Sequence, residues 1–283
     1  MAPNLRRAAA AIALALAACV PPVPSNDIVQ EYAETTAMGI IQRTGVLRVG
    51  LERDAFPLGA DREDPAGFTY EIGAELAESL GVRAEFVVAP AAELAALVED
   101  GDLDVAFPLT PVTEKAVGRH AYSDPWWVGH QRLLAGIDGV EGLEDLAGRA
   151  VCDAPDPATG IPLADLQPAV GTVVKRPDPR ACAPDLSRGR VDVVSGPDVW
   201  LMSLAARASG KLVGDAQTTA GYGAITSREA VGLNGFVDLV LREIDSEGRW
   251  EAWYEEYVSP VTGTSSPGIP LMTIEEAAAL YPK

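Results

Sequence analysis

Cysteine and histidine are scarce in this sequence, which contains three cysteines and two histidines among 283 residues. The histidines, His120 and His130, lie far from every cysteine, and no CxxC pair occurs. Structural zinc sites and Cys–His nucleophiles require such residues in clusters. The sequence therefore argues against both, and we expect no cofactor.

Long apolar runs are missing after the first segment of the chain. Residues 8–18 are all apolar, but eleven residues are too few to span a bilayer as a helix. Arg6 and Arg7 precede this run and small residues end it, which is typical of a secretory signal peptide over residues 1–18. We therefore expect export to the periplasm.

The end of the signal segment resembles a bacterial lipobox, because Leu16-Ala17-Ala18 is followed by Cys19. The resemblance implies that Cys19 is lipidated and anchors the protein to a membrane. The Pro-rich residues 19–26 suit a tether. A plain signal peptide followed by a chance cysteine is the alternative.

Positive charge is also in deficit, with 22 Lys and Arg against 41 Asp and Glu, so the formal net charge is −19. A surface of this sign repels nucleic-acid phosphates and anionic headgroups. We expect no nucleic-acid partner, and membrane contact only through the lipid.

Two cysteines remain once Cys19 is assigned to the lipid. Exported proteins fold in an oxidising compartment, where a pair of cysteines forms a disulfide by default. We expect a structural disulfide between Cys152 and Cys182.

The rest of the chain alternates short strands with helices. Residues 27–44 form a predicted leader helix, capped by Asn26 or Asp27. Predicted strands are 46–51, 84–88, 102–107, 132–137, 150–152, 172–175, 191–195 and 221–227; predicted helices are 70–80, 91–99, 198–208, 229–247 and 250–257. This alternation is typical of βαβ units and parallel sheets, and predicts an α/β fold. Residues 259–283 are predicted as a C-terminal tail.

Five segments, in order, resemble the extracellular solute-binding proteins of family 3, whose type members serve polar amino-acid ABC importers. The segments are 45–57, 67–82, 97–127, 143–151 and 189–194, and residues 247–250 match as well. The resemblance covers residues 45 to about 258.

The resemblance implies a two-lobed, type 2 periplasmic-binding fold with mostly parallel sheets. Lobe 1 would comprise residues 45–132 and 222–258, and lobe 2 residues 133–221. Segments 133–135 and 223–225 would form the hinge. The implied protein is a monomeric, non-enzymatic lipoprotein that captures a small polar solute for an ABC permease in the inner membrane.

The resemblance also suggests residues of the solute site. Thr110 and Lys115 would hold a carboxylate, although Lys115 is equally well explained as a solvated helix residue. From lobe 2, Thr159 and Asp198 would contact the solute, with helix capping as the alternative for Asp198.

Three further residues complete the predicted ligand set. Asp54 and Phe56 lie in the first loop, and Phe68 or Trp127 would supply an aromatic wall. Core packing is the alternative for both Phe68 and Trp127.

Two other functions remain open. A sensory or interaction lipoprotein would use the same fold without import. An enzyme resembling cyclohexadienyl dehydratases would need a buried, perturbed carboxylate near its substrate.

Overall fold

The computed structural model describes residues 29–61, 64–208 and 210–282. The predicted signal peptide 1–18, the lipidation site Cys19 and the tether 19–26 lie outside these residues, so they stay predictions. Within the described ranges, no helix is long and apolar enough to cross a bilayer.

The first helix, α1 (Ala37–Thr44), is shorter than the predicted leader helix 27–44. Thr36 caps it, because its side chain accepts the N–H of Gly39 at 3.1 Å. The preceding segment runs back along α1, where the Gln42 side chain donates to the carbonyl of Gln30 at 2.8 Å. The predicted helix is therefore wrong for residues 29–36.

Strands and helices then alternate up to residue 129. The elements are β1 (Val46–Glu52), α2 (Phe68–Ser79), β2 (Arg83–Ala89), α3 (Ala91–Glu99), β3 (Val105–Phe107), α4 (Glu114–Val117) and β4 (Ala121–Gly129). Helix α2 buries Ile72 and Leu76, which lie one turn apart on the same face, while β1 is buried over most of its length.

Strand β4 is absent from the sequence prediction because Asp124 and Pro125 interrupt its apolar pattern. The structure places β4 at the outer end of its sheet, where a proline costs no hydrogen bond on the open side. The carboxylate of Asp124 accepts the N–H of Ile274, at the start of a helix near the C-terminus, at 2.9 Å.

The second half of the chain begins directly after β4. Its elements are β5 (Gln131–Ala135), a 3₁₀ turn (Leu143–Leu146), β6 (Ala150–Asp153), α5 (Leu163–Leu166), β7 (Thr172–Lys175), a 3₁₀ turn (Pro179–Cys182), α6 (Ala183–Ser187), β8 (Val193–Pro197), α7 (Asp198–Arg207) and β9 (Lys211–Val213). Strand β9 has three residues and no strong pattern, so the sequence does not predict it.

The chain then returns to the first half. The closing elements are β10 (Ala220–Thr226), α8 (Leu233–Ser246), α9 (Arg249–Trp253), a π-helical turn (Tyr254–Val258), α10 (Ser259–Thr262) and α11 (Ile274–Ala279). Helix α8 buries an apolar stripe at four-residue spacing, which includes Phe236, Val240 and Ile244.

Two five-stranded mixed sheets organise these elements. Lobe 1 holds the sheet β2-β1-β3-β10-β4, and lobe 2 holds the sheet β7-β6-β8-β5-β9. In each sheet the fourth strand, β10 or β5, runs antiparallel to both neighbours. The predicted α/β fold with two sheet-containing lobes is confirmed.

The chain crosses between the sheets at His130 and again over residues 214–219. The predicted hinge segments 133–135 and 223–225 lie inside β5 and β10. Leu133 pairs with a strand on each side, as does Ile225, so these residues are held within the sheets. The sheets also assign 131–132 to lobe 2 and 220–221 to lobe 1, two residues from the predicted boundaries.

The predicted disulfide between Cys152 and Cys182 is confirmed. Cys152 lies in β6 and Cys182 ends the 3₁₀ turn Pro179–Cys182, and both residues are fully buried. The bond therefore fixes this turn to the sheet of lobe 2.

The C-terminal segment 259–283, predicted as a tail, is partly helical and packs on lobe 1. Ala277 of α11 is fully buried. It faces Gly221 of β10, where a Cβ would come within 2.9 Å of the Ala277 Cβ. The Tyr281 hydroxyl donates to the carbonyl of Thr219 at 2.7 Å, so the segment also contacts the second crossing.

Candidate functional site

The carboxyl ends of the strands in the two lobes face each other. Strand β4 runs in the same direction as β1 and β3, and β5 follows it after His130 alone. Since β8 and β6 run against β5, their carboxyl ends lie at the edge where β5 begins. Open α/β sheets bind ligands at these ends, so the facing edges are the candidate site.

Glu52 ends β1 at the lobe 1 edge, and the sequence prediction does not include it. The side chain is 1% exposed. Its two oxygens accept backbone N–H groups, one from Ala91 at the start of α3 (3.1 Å) and one from Leu109 after β3 (3.4 Å). The Glu52 carboxylate therefore fills the point at which these two donors converge.

Burial raises the pKa of Glu52 to about 7, while the two N–H donors and the positive charges of Arg180 and Arg53 act to lower it. Arg180 belongs to lobe 2. A charge from lobe 2 is therefore among the smaller influences on the pKa of Glu52.

Arg180 lies in the 3₁₀ turn Pro179–Cys182, at the lobe 2 edge. Its guanidinium carbon is 3.9 Å from the ring centroid of Trp200, and its Nε lies 3.3 Å from Asp178 Oδ1. The turn lies close against β8 because Gly196 has no side chain: a Cβ there would come within 2.6 Å of Pro179. The sequence gives no separate signal for Arg180.

Asp54, a predicted ligand residue, lies at a direct contact between the lobes. The Ser203 hydroxyl of α7 donates to its carbonyl at 2.7 Å. Arg207, also on α7, has Nη2 at 2.7 Å from Asp61 Oδ1 and at 3.5 Å from Asp54 Oδ1. These bonds connect the first loop of lobe 1 to lobe 2.

Asp198 binds the first crossing. Its carboxylate accepts the N–H of His130 at 2.9 Å, and its own N–H donates to the His130 carbonyl at 2.7 Å. It is the first residue of α7, whose N-cap is Pro197, so it is not itself the cap. Burial raises the pKa of Asp198, against the lowering effect of the His130 N–H.

Thr159 lies in the loop after β6, at the lobe 2 edge, and is 7% exposed. Its hydroxyl donates to Asp156 Oδ1 at 3.1 Å, and its backbone N–H donates to the same oxygen at 2.9 Å. Both groups therefore close a local turn.

Phe68 lies in the core of lobe 1, which is one of the two roles that the sequence leaves open for it. It is fully buried, and its ring centroid is 4.6 Å from that of Trp250. Trp127 is also buried and contacts Phe68 edge-on. Phe56 is half-buried and meets Tyr257 edge-on at 6.3 Å.

Thr110 and Lys115 come together in a pocket of about 390 Å³ that is formed by lobe 1 residues alone and that Ala91 of the lobe 1 edge also lines. Both side chains are exposed, and Arg119 and His120 line the same pocket. His120 Nε2 is 3.5 Å from Glu99 Oε1, while burial lowers the pKa of His120.

The seven predicted ligand residues thus occupy separate places. Asp54, Thr159 and Asp198 lie at or beside the facing edges, Thr110 and Lys115 share the lobe 1 pocket, and Phe56 and Phe68 pack against aromatic side chains. Glu52 and Arg180, which the sequence does not single out, lie at the lobe 1 edge and the lobe 2 edge respectively.

Comparisons with known proteins agree with this architecture. The sequence profile of the bacterial extracellular solute-binding proteins, family 3, matches residues 47–260. PatH of Vibrio harveyi, described as an amino-acid ABC transporter-binding protein, is 26% identical over 114 residues, which are 39% of this chain and 46% of PatH.

The membrane-bound lytic murein transglycosylase F of Vibrio campbellii (strain ATCC BAA-1116) is 34% identical over 97 residues, which are 33% of this chain and 18% of that protein. The chain thus matches less than half the length of either curated relative.

Among solved structures, AncCDT-1, an ancestral cationic amino acid solute binding protein, superposes with a TM-score of 0.64 at 19% identity. The superposition covers 78% of this chain and 99% of that one. A second structure of AncCDT-1 is described as a precursor of cyclohexadienyl dehydratase. At this identity the likeness establishes the type 2 periplasmic-binding fold and nothing finer.

Proposed function

The chain belongs to the bacterial extracellular solute-binding proteins of family 3, and on this premise we propose that it captures a small polar solute between its lobes for an ABC importer. The solute is an amino acid or a related amine or carboxylate. The protein itself catalyses no reaction.

The observation that carries this proposal is the placement of an ionisable group at each of the facing edges. Glu52 is a buried carboxyl group at the lobe 1 edge, and Arg180 is a guanidinium at the lobe 2 edge. A polar solute between the edges would meet the partly exposed guanidinium of Arg180. A few polar groups placed in this way fix the orientation of a small ligand.

Closure of the lobes would use the two crossings as a hinge. Asp198 binds both backbone groups of His130, which gives the first crossing a defined geometry. Residues 214–219 form the second crossing. A solute that contacts both lobes favours the closed arrangement, because those contacts are lost when the lobes separate.

The proposal includes the place where the protein works. A lipid on Cys19 would hold a monomer at the membrane surface on the periplasmic side, within reach of the permease in the inner membrane. The family is described as extracellular, which agrees with an exported protein.

Two alternatives have a specific observation in their favour. The predicted ligand residues Thr110 and Lys115 share a pocket formed by lobe 1 alone, as expected if the protein were a sensor or docking lipoprotein that does not close around a solute. Glu52 has the raised pKa that a general acid needs, as expected for a dehydratase-like enzyme.

Thermal unfolding of the purified protein with a panel of solutes tests the proposal. The panel contains cationic and neutral amino acids, polyamines and dicarboxylates, with glucose as the control. A bound solute at a hundred times its Kd should stabilise the fold by about 2.7 kcal/mol. Folded protein with no shift and no heat of binding would favour the sensor, whereas turnover of prephenate or arogenate would favour the enzyme.

A further inference from the structure

Arg180 has a fixed position at the lobe 2 edge. Its turn, Pro179–Cys182, is tied to β6 by the disulfide between Cys182 and Cys152, and Pro179 lies against the end of β8 at Gly196. Two covalent or steric constraints therefore hold the backbone of Arg180 where the carboxyl ends of these strands meet lobe 1.

The guanidinium group of Arg180 has a defined position, but most of its hydrogen-bond donors have no acceptor among the described residues. Trp200 stacks on its plane at 3.9 Å, and Asp178 accepts its Nε at 3.3 Å. Among the described residues, its two terminal nitrogens donate no hydrogen bond. The side chain is 35% exposed, so these donors remain accessible. A stacked guanidinium with free terminal nitrogens suits a planar oxyanion.

At the end of β1, the backbone donors of the lobe 1 edge are not free for a solute anion. The backbone N–H groups of Ala91 and Leu109 converge on one point, and Glu52 already occupies it. A solute carboxylate there would displace or face another buried carboxylate, which costs free energy.

We propose that Arg180 binds the anionic end of the solute, so that the anion site of this protein lies in lobe 2 and the solute class is a small molecule with a carboxylate. This inference rests on the proposed function. Trp200 keeps the guanidinium plane in position, and Asp178 leaves both terminal nitrogens to the carboxylate. Lys115 and Thr110 are not needed for this contact.

The test uses pairs of probes that differ only by the carboxylate: L-lysine with cadaverine, and L-arginine with agmatine. Calorimetry compares the wild type with Arg180→Ala, Arg180→Lys and Arg188→Ala. Arg188 is exposed and precedes the opposite end of β8, so its removal is the matched loss of charge.

We expect the carboxylate member of a pair to bind the wild type and Arg188→Ala equally. Arg180→Ala should bind it about 10- to 100-fold more weakly, as expected for losing hydrogen bonds to a charged group. The affinity of Arg180→Lys should fall between those of the wild type and Arg180→Ala, because lysine keeps the positive charge but cannot donate two parallel hydrogen bonds to a carboxylate. Equal binding of both members of a pair, or unchanged binding by Arg180→Ala, would overturn the inference and leave the proposed function standing.

A second measurement covers the case in which no probe of either pair binds, which would count against the proposed function. The Nε–H resonance of Arg180 is followed by NMR during titration with acetate and with acetamide. Acetate alone should shift it, while the resonances of Arg188 stay unchanged. If acetate left the Arg180 resonance unshifted, the anion site would be refuted, whatever the solute panel showed about import.

Discussion

The two lobes share one strand arrangement but carry different ionisable groups at their facing edges. In each sheet the fourth strand is antiparallel and connects to a crossing. Yet the lobe 1 edge presents the carboxylate of Glu52, bonded to two N–H groups, and the lobe 2 edge presents the guanidinium of Arg180. The shared topology determines where the two edges lie, whereas the side chains at the strand ends determine what each edge can bind.

The lobes also differ in how their cores are held together. Lobe 1 contains an aromatic cluster in which Phe68 packs against Trp126, Trp127, Trp250 and Trp253. Lobe 2 has shorter helices and the disulfide between Cys152 and Cys182. We therefore expect lobe 2 to depend on its cross-link and lobe 1 to depend on packing.

Removing the disulfide between Cys152 and Cys182 should give the largest loss of stability, and it tests whether lobe 2 depends on this bond. The bond closes a loop with a sequence separation of 30. Replacing Cys152 and Cys182 by Ser should lower the free energy of unfolding by about 3–4 kcal/mol, because the unfolded chain regains the entropy of that loop. Urea unfolding of the oxidised wild type and the double variant measures the difference.

Reductant serves as the control, since it should destabilise the wild type and leave the double variant unchanged. Tryptophan fluorescence of the lobe 1 cluster and far-UV circular dichroism should be compared at each step. Equal unfolding midpoints for the oxidised wild type and the double variant would show that lobe 2 does not depend on the bond.

The pH dependence of stability tests whether Glu52 at the lobe 1 edge is protonated in the folded protein. The pKa of Glu52 rises from 4.5 to about 7 on folding, so the folded protein holds this proton more tightly than the unfolded chain. Its contribution to stability is therefore full below about pH 4.5 and is lost as the pH rises to about 7. The loss should be on the order of 3 kcal/mol.

Glu52→Gln should remove this part of the pH dependence, and Glu85→Gln is the matched control. Glu85 lies in the adjacent strand β2 and is half exposed. The measured quantity is the difference in free energy of unfolding between about pH 4.5 and about pH 8. Identical differences for the wild type and Glu52→Gln would mean that Glu52 does not hold a proton in the folded state.

The contact between the lobes should give the smallest effect on stability. Arg207 and its partner Asp61 are both well exposed, at 39% and 53%. Arg207→Ala should therefore cost at most about 1 kcal/mol. It should nevertheless widen the distribution of distances between the lobes, because it removes the charged link between α7 and the first loop.

Distances between spin labels on the two lobes, measured with and without Arg207, test this expectation. Lys211→Ala is the control, since its ion pair with Glu141 lies within lobe 2. If both variants gave the wild-type distance distribution, the contact of Arg207 would have no part in holding the lobes together.

Much of the fold is predictable from local pattern. Helix α3 (Ala91–Glu99) and strand β7 (Thr172–Lys175) have the predicted bounds. Strand β4 is not predicted because a proline such as Pro125 is acceptable only in a strand at the outer end of a sheet. The local sequence does not reveal that β4 has this position. The start of α1 is misplaced because the cap at Thr36 competes with the equally suitable Asp27.

The candidate site is predicted less well than the fold. Asp54, Thr159 and Asp198 lie near the facing edges, but each already bonds to the protein itself. Glu52 is the last residue of β1 and has no distinctive pattern around it, so its role depends on the N–H groups that α3 and the segment after β3 bring to it. Arg180 is oriented by Trp200 and by a turn that the disulfide ties to β6, and both Trp200 and Cys152 are at least twenty residues away in sequence.

By itself, the sequence determined the alternation of strands and helices, the excess of negative charge and the pairing of the two buried cysteines, because these follow from local periodicity and from residue counts. The tertiary structure alone decided where the chain crosses between its sheets and which charges meet there. Strand ends distant in sequence become neighbours only when the sheets assemble; burial then raises the pKa of Glu52, and contact with Trp200 positions Arg180.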